Sequence, residues 1–355
     1  MDFVARRARL ASRFPDLGVE AFLVTRLPNV RFLTGFTGSN GQLLLAADGG
    51  VFLTDGRYGE QSRHEVPDLR RSLYSGDFGP AFGRARADLG VSRVAFESAG
   101  LTYRTYTTLA GDGIELVPTI DEVERLRWIK SPQEIRSLEA AQAIADDAFD
   151  LIIGKLAEGM AEREVAFELD TQMRRAGAEA MAFETIVGFG ENAAEPHHGP
   201  GDRTLSRGDV VKVDFGAVVD GYHSDMTRTV AFGEPDPRLR EIYEVVRLAQ
   251  QAGVDAVRAG EVGGDVDRVV RDAIGQAGYG EHYPHSLGHG VGLEVHEGPT
   301  LRVGSTDVLP ESTVVTVEPG VYVGGLGGVR IEDMVVVTVE GCRVIPRTTK
   351  ELLVL

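Results

Sequence analysis

A single cysteine, Cys342, excludes an intrachain disulfide and suits a reducing compartment. Long apolar runs are missing too. No stretch approaches the roughly 18 apolar residues of a membrane span, and the opening MDFVARRARLASRF lacks the extended apolar core of a signal peptide. The expectation is a cytoplasmic protein with no membrane partner. Basic residues are in deficit: 37 against 54 acidic ones, a formal net charge of −17. With no run of Lys or Arg to form a basic patch, nucleic acid is excluded as a partner. Several chemistries lack their signatures as well. There is no P-loop lysine motif, no GxSxG elbow and no GxGxxG. An HExxH zinc helix is also absent. His285 and His289 are four apart, but Ser-Leu-Gly separates them and glycines at 288, 290 and 292 spoil a helix.

What remains is a chain of 355 residues, enough for two domains. Its 43% hydrophobic and 26% charged content are ordinary for a soluble globular protein. The first part alternates helix and strand patterns. FVARRARLASRF is amphipathic at helical spacing; AFLVT, QLLLAA, VFLTD and VSRVAFES read as strands; GPAFGRARADLG and YRTYTTLAGD read as helices. The pattern predicts a small α/β domain over 1–127. Near residue 127 the texture changes. Ser131-Pro132, with Glu134 in the first turn, starts a helix whose apolar pattern runs to about Leu156, and residues 128–355 are assigned to a second domain.

That second part repeats itself. GMAEREVAFELDTQMRRAG begins at Gly159 and GEVGGDVDRVVRDAIGQAG at Gly260, 101 residues later. Val165, Leu169 and Met173 of the first match Val266, Val270 and Ile274 of the second, at i, i+4 and i+8 on one helix face. Histidine, then two strand-like runs bearing acids, follows each copy: Asp214 and Asp225 after the first, Glu318 and Glu332 after the second. Two such halves would pack as a pseudo-twofold pair with their acids meeting between them.

Asp214 in VVKVDFG, Glu318 in VVTVEPG and Glu332 in VRIEDMVVV sit in runs apolar enough to be buried; Asp225 in YHSDMTRT is less clearly so. A lone buried carboxylate is very costly. For any one of them a salt bridge or a backbone hydrogen bond would serve. Four in matching positions, with seven of the eight histidines between His197 and His296, point to metal. Four carboxylates balance two divalent ions, and an oxygen-rich set with one imidazole suits manganese, zinc, cobalt or iron more than copper.

Taken together, VDFGAVVDGYHSDMTRT, PHSLGHGVGLEVHE, TVEPGVY and GVRIEDMVVVT resemble the metal-dependent proline peptidases, aminopeptidase P and prolidase. NVRFLTGFTGSN and VFLTDGRY resemble the smaller N-terminal domain of the same enzymes, which methionine aminopeptidases lack. The resemblance implies a creatinase-like α/β domain followed by an α+β "pita-bread" catalytic domain. It implies two divalent ions, manganese first with cobalt or zinc as alternatives, held by Asp214, Asp225, His289, Glu318 and Glu332. Asp225 and Glu332 would bridge the ions, and Glu318 would also act as general base. His197 and His296 match histidines that contact the scissile peptide. His285, Arg330 and Tyr222 would face substrate. His198, His223, His282 and His64 are assigned no direct role, although His223 lies close to the expected proline pocket. The implied partner is a peptide with proline at its second position, and the implied assembly a homodimer. Arg302 is the nearest arginine to Gly304, where a dipeptidase needs a cation for the proline carboxylate. This favours an Xaa-Pro aminopeptidase over an Xaa-Pro dipeptidase. A metal-free peptide-binding relative and creatinase-like C–N hydrolysis are disfavoured because all five ligand positions are filled.

Overall fold

A computed structural model describes residues 1–111 and 113–355. The chain forms two compact units, Met1–Arg127 and Trp128–Leu355. The first is built on a six-stranded sheet with the spatial order Arg70–Tyr74, Gly49–Asp55, Gln42–Ala46, Ala21–Val24, Arg93–Glu97 and Glu115–Thr119. Its central strands are the apolar runs legible in the sequence: Ala21–Val24 is buried along its whole length. The two edge strands, RRSLY and ELVPT, escape the pattern. An edge strand has only one neighbour and leaves most of these side chains at least partly exposed, so no apolar run marks it.

In the second unit Ser131 opens the helix Pro132–Ile153 with a capping box: the Ser131 side chain accepts from the Glu134 amide, and the Glu134 carboxylate accepts from the Ser131 amide at 2.7 Å. The helix ends three residues before the expected Leu156, and Gly154 serves as its C-cap. The repeat copies fold as the helices Glu162–Arg175 and Gly263–Gln276, again 101 residues apart. Val165, Leu169 and Met173, and Val266, Val270 and Ile274, are all buried, each in the core of its own half. Each such side chain contributes about 1.5–3 kcal/mol through removal of apolar surface from water.

Each helix shares its apolar core with a strand pair. In the first half Val210–Phe215 pairs antiparallel with Met226–Ala231, from Phe215 opposite Met226 to Val210 opposite Ala231. The two-residue period sends Val211, Val213 and Phe215 into the apolar core and leaves Lys212 and Asp214 beside Thr229 and Thr227 on the other face. In the second half Val314–Val317 pairs antiparallel with Asp333–Val337, ending at Val317 opposite Asp333. Glu318 and Glu332 are the next residues along. The two halves are stitched together by the Glu332 amide donating to the Thr227 carbonyl at 3.1 Å and the Thr229 hydroxyl donating to the Arg330 carbonyl at 3.0 Å. Among the described residues no helix is long and apolar enough to cross a membrane.

Candidate metal centre

Where the halves meet, a cavity of about 420 Å³ opens, lined by residues that include His197, Asp214, Asp225, His285, His289, His296, Glu318 and Arg330. Glu332 lies buried beside this wall. Asp225 is buried as well, at 5% exposure, more firmly than its surroundings in the sequence suggest. Of the expected site residues, Tyr222 alone is placed elsewhere. It is buried, and its hydroxyl donates to Glu134 at 2.7 Å, joining the strand Tyr222–His223 to the first turn of the capped helix. The expected substrate contact at Tyr222 is therefore corrected to a packing role. His223 is likewise not among the lining residues; its Nδ1 lies 3.2 Å from the Gly292 carbonyl.

The strand Gly288–Gly290 carries His289 and can run here only because its neighbours are glycine. A Cβ on Gly288 would stand 2.0 Å from the Thr316 carbonyl oxygen, and one on Gly290 would stand 2.2 Å from that of Gly298. These close approaches bring the imidazole onto the carboxylates. His289 Nδ1 donates to the Gly290 carbonyl at 3.0 Å, so that in the neutral ring the lone pair belongs to Nε2. Nε2 points towards Glu318 Oε1 at 3.2 Å and Asp225 Oδ2 at 3.7 Å. A lone pair facing two carboxylates is repulsive unless a proton or a cation lies between them.

Ligand atoms from Asp225, His289 and Glu332 all lie within 4.8 Å of one another. Burial, reinforced by the Glu332, Asp214 and Glu318 charges, pushes the Asp225 carboxyl well above the usual range. Glu332 is raised for the same reasons, burial first and then Glu318 and Asp214, against a 2.7 Å hydrogen bond from Thr227. Burial opposes charge on Glu318 and His289 too, but their mutual contact prevails. It holds Glu318 down at about 2 and raises His289. Among the described residues Asp214 Oδ1 is buried with no hydrogen-bond partner, while its Oδ2 accepts from Arg330. An orphaned oxygen, crowded acids and an aimed imidazole are together the donor chemistry of a divalent cation site, so these residues fit the group they are expected to hold.

A second ring of contacts orients them. Thr316 receives the His289 amide at 3.1 Å and donates to Glu318 at 3.3 Å. Arg330 donates to Asp214, to Thr227 at 2.9 Å, to Tyr322 at 2.8 Å and to the Pro196 carbonyl at 3.1 Å. Tyr322, which received no role from the sequence, passes that chain on to His285 Nε2 at 2.9 Å, while His285 Nδ1 donates to the Ser286 carbonyl at 2.8 Å. Both nitrogens of His285 are thus engaged, and burial lowers its pKa, which keeps it neutral. Burial likewise pushes the Tyr322 phenol up to about 12. His296 packs its ring edge-on against His289 at 4.4 Å and is held towards the neutral form by burial and by that neighbour. In the sequence Tyr322 looks like one more core residue of EPGVYVG. Only the fold of the Gly320–Val323 strand against Gly327–Arg330 reveals it as the link between His285 and Arg330.

Comparison with known proteins gives a consistent result. Metallopeptidase family M24 matches residues 136–339, and the creatinase/prolidase N-terminal domain matches residues 6–129. An Xaa-Pro dipeptidase of Pyrococcus horikoshii is 35% identical over 99% of this chain and 100% of its own length. Among solved structures, an Xaa-Pro dipeptidase from Bacillus anthracis is 40% identical, with a TM-score of 0.97 and complete coverage of both chains. An X-Pro aminopeptidase from Thermotoga maritima is 35% identical, with a TM-score of 0.88 over 97% of this chain and 100% of that one. The architecture is the two-domain fold these proteins share, with its pita-bread catalytic domain.

Proposed function

Because the chain belongs to metallopeptidase family M24, with a creatinase/prolidase N-terminal domain ahead of the catalytic one, we propose that it is an Xaa-Pro dipeptidase. The observation that carries a metal-dependent hydrolase is the convergence of His289 Nε2 on Asp225 and Glu318 beside the orphaned Asp214 oxygen. The choice of the dipeptidase over the aminopeptidase that the sequence favours rests on full-length relatives of that name.

Asp214, Asp225, His289, Glu318 and Glu332 would hold two divalent cations, manganese first, which supply Lewis acidity towards water and the scissile carbonyl. The protein's own groups do the rest. Glu318, fixed by His289 and Thr316, takes the proton from the attacking water and returns it to the prolyl nitrogen, which leaves as an amine. His197 and His296 reach into the cavity as donors for the negative charge that develops on the carbonyl oxygen. Arg330 locks Asp214, and Tyr322 with Ser286 locks His285 as a neutral wall of the cavity. A homodimer is the expected assembly, to be read by light scattering.

One observation favours the aminopeptidase instead. Arg330 is the only Arg or Lys among the described residues lining the cavity, and four hydrogen bonds already engage its guanidinium. None of the lining cations is therefore spare for the carboxylate of a free proline. Turnover of Ala-Pro against Ala-Pro-Ala decides between them. A dipeptidase cleaves the first and leaves the second; comparable cleavage of both replaces this reading with the aminopeptidase.

A further inference from the structure

His197 is the cavity histidine with the least support of its own. Among the described residues its imidazole has no hydrogen-bond partner, and it is exposed to the cavity. Its position must come from the residues on either side. On one side the Pro196 carbonyl is gripped twice, by Lys212 Nζ at 3.3 Å and by Arg330 Nη1 at 3.1 Å, and Lys212 also donates to the Glu195 carbonyl. On the other side His198 is clamped between two carboxylates. Its Nε2 lies 2.9 Å from Glu162 Oε2 and its Nδ1 lies 2.7 Å from Glu195 Oε2.

Glu162 is the anchor of the whole segment. Its side chain has no exposed surface, and it accepts from the Phe189 amide at 2.9 Å, Asn192 Nδ2 at 2.9 Å, His198 at 2.9 Å and the Gly201 amide at 3.0 Å. Four bonds from a thirteen-residue loop (189–201) thus end on one buried carboxylate of the helix Glu162–Arg175. Both ring nitrogens of His198 face carboxylate oxygens, and only the doubly protonated imidazolium donates to both.

We propose that His198, held as an imidazolium between Glu162 and Glu195, is a positioning residue that sets His197 against the scissile peptide. The inference rests on the peptidase reading for the role of His197. The groups facing His198 are Glu162 from the neighbouring helix and Glu195 from its own loop. On the far side of that loop, Lys212 of the strand Val210–Phe215 holds the Glu195 and Pro196 carbonyls. When His198 loses a proton, one carboxylate meets a lone pair instead of a donor, the clamp opens on that side and His197 loses its fixed place. Burial opposes the charge on His198, but the two carboxylates outweigh it and raise its pKa above the ordinary imidazole value.

The test compares wild type, His198→Ala and His198→Gln, each loaded with manganese, on Ala-Pro across pH. It is read alongside metal content and ¹H–¹⁵N spectra of the histidine rings. Gln keeps a donor for Glu162 but cannot titrate. A misplacement of about 1 Å costs on the order of 100-fold. His198→Ala is therefore expected to lose about 10- to 100-fold in kcat, with KM within about threefold and metal content unchanged. His198→Gln is expected to retain kcat within about threefold and to lose the alkaline decline that wild type shows as His198 deprotonates. Wild-type kcat in His198→Ala, or an unchanged alkaline decline in His198→Gln, overturns the proposal and leaves the peptidase reading standing. If wild type cleaves no Xaa-Pro peptide, the peptidase reading fails, and the spectra decide the clamp. Titration of His198 above the ordinary imidazole range, with the His197 signals shifted in His198→Ala, supports it. An ordinary titration, or His197 signals untouched by the substitution, overturns it.

Discussion

His289 Nε2 lies 3.2 Å from Glu318 Oε1, while Nδ1 of the same ring is committed to the Gly290 carbonyl. The pair is built for something between or beside them, and the surrounding acids share that property. Without cations Asp225 and Glu332 repel their neighbours; with cations the same crowding becomes affinity.

Glu332→Gln separates these two effects. Removing one of the crowded charges relieves repulsion in metal-free protein, which is expected to melt at the wild-type temperature or up to about 4 °C higher. Manganese at 100 times its dissociation constant is expected to raise the wild-type melting temperature by roughly 5–10 °C and to do little for the variant. Differential scanning fluorimetry with and without chelator reads both. A large metal-induced shift in the variant would remove Glu332 from the ligand set.

Tyr322→Phe keeps the ring and removes the hydroxyl between Arg330 and His285. His285 Nε2 loses its donor in a buried place, a cost of about 1–3 kcal/mol. Urea unfolding is expected to show that loss. Activity should fall about 10-fold or more with metal content unchanged, because no metal-facing atom has been touched.

Arg330→Met leaves the Asp214 carboxylate buried and unpaired, and strips donors from Thr227, Tyr322 and the Pro196 carbonyl. Breaking a buried pair in this way costs about 3–5 kcal/mol. Chemical denaturation is the check, and a loss below about 1 kcal/mol would mean the guanidinium is not holding Asp214.

The clamp on His198 gives stability a defined dependence on pH. Its raised pKa means that its contribution is complete below the unfolded value of 6.5 and is lost as pH climbs through the folded value. Glu162 is lowered: its hydrogen bonds from Phe189, His198, Asn192 and Gly201 outweigh burial. Its contribution is therefore complete above the unfolded value of 4.5 and is lost as pH falls through the folded one. The melting-temperature gap between wild type and His198→Ala is thus expected to be widest between about pH 4.5 and 6.5 and to narrow on the alkaline side. A gap independent of pH would mean the ring is neutral.

Much of this was legible in the chain because the relevant signals are local. Ser131-Pro132-x-Glu134 announces a capped helix. The helices 101 residues apart share an apolar face, and acids set against β-branched runs stand out because apolar strands rarely tolerate them. The supporting contacts were not legible because they join residues distant in sequence. Glu162 looks like an ordinary first-turn acid until the loop 189–201 folds over it. Thr227 and Thr316 look like strand-formers until Glu332 and Glu318 arrive beside them. Tyr222 misled in the opposite direction. Its closeness in sequence to Asp225 suggested the cavity, but the strand Tyr222–His223 carries it to Glu134.

The most direct test is hydrolysis of Ala-Pro and Ala-Leu by one preparation, first stripped with chelator and then reloaded with manganese, with bound metal counted by mass spectrometry. The expected result is no turnover when stripped, about two ions per chain on reloading, and cleavage of Ala-Pro far faster than Ala-Leu. Full Ala-Pro turnover in the stripped protein, or neither bound metal nor turnover after reloading, would contradict a metal-dependent proline peptidase.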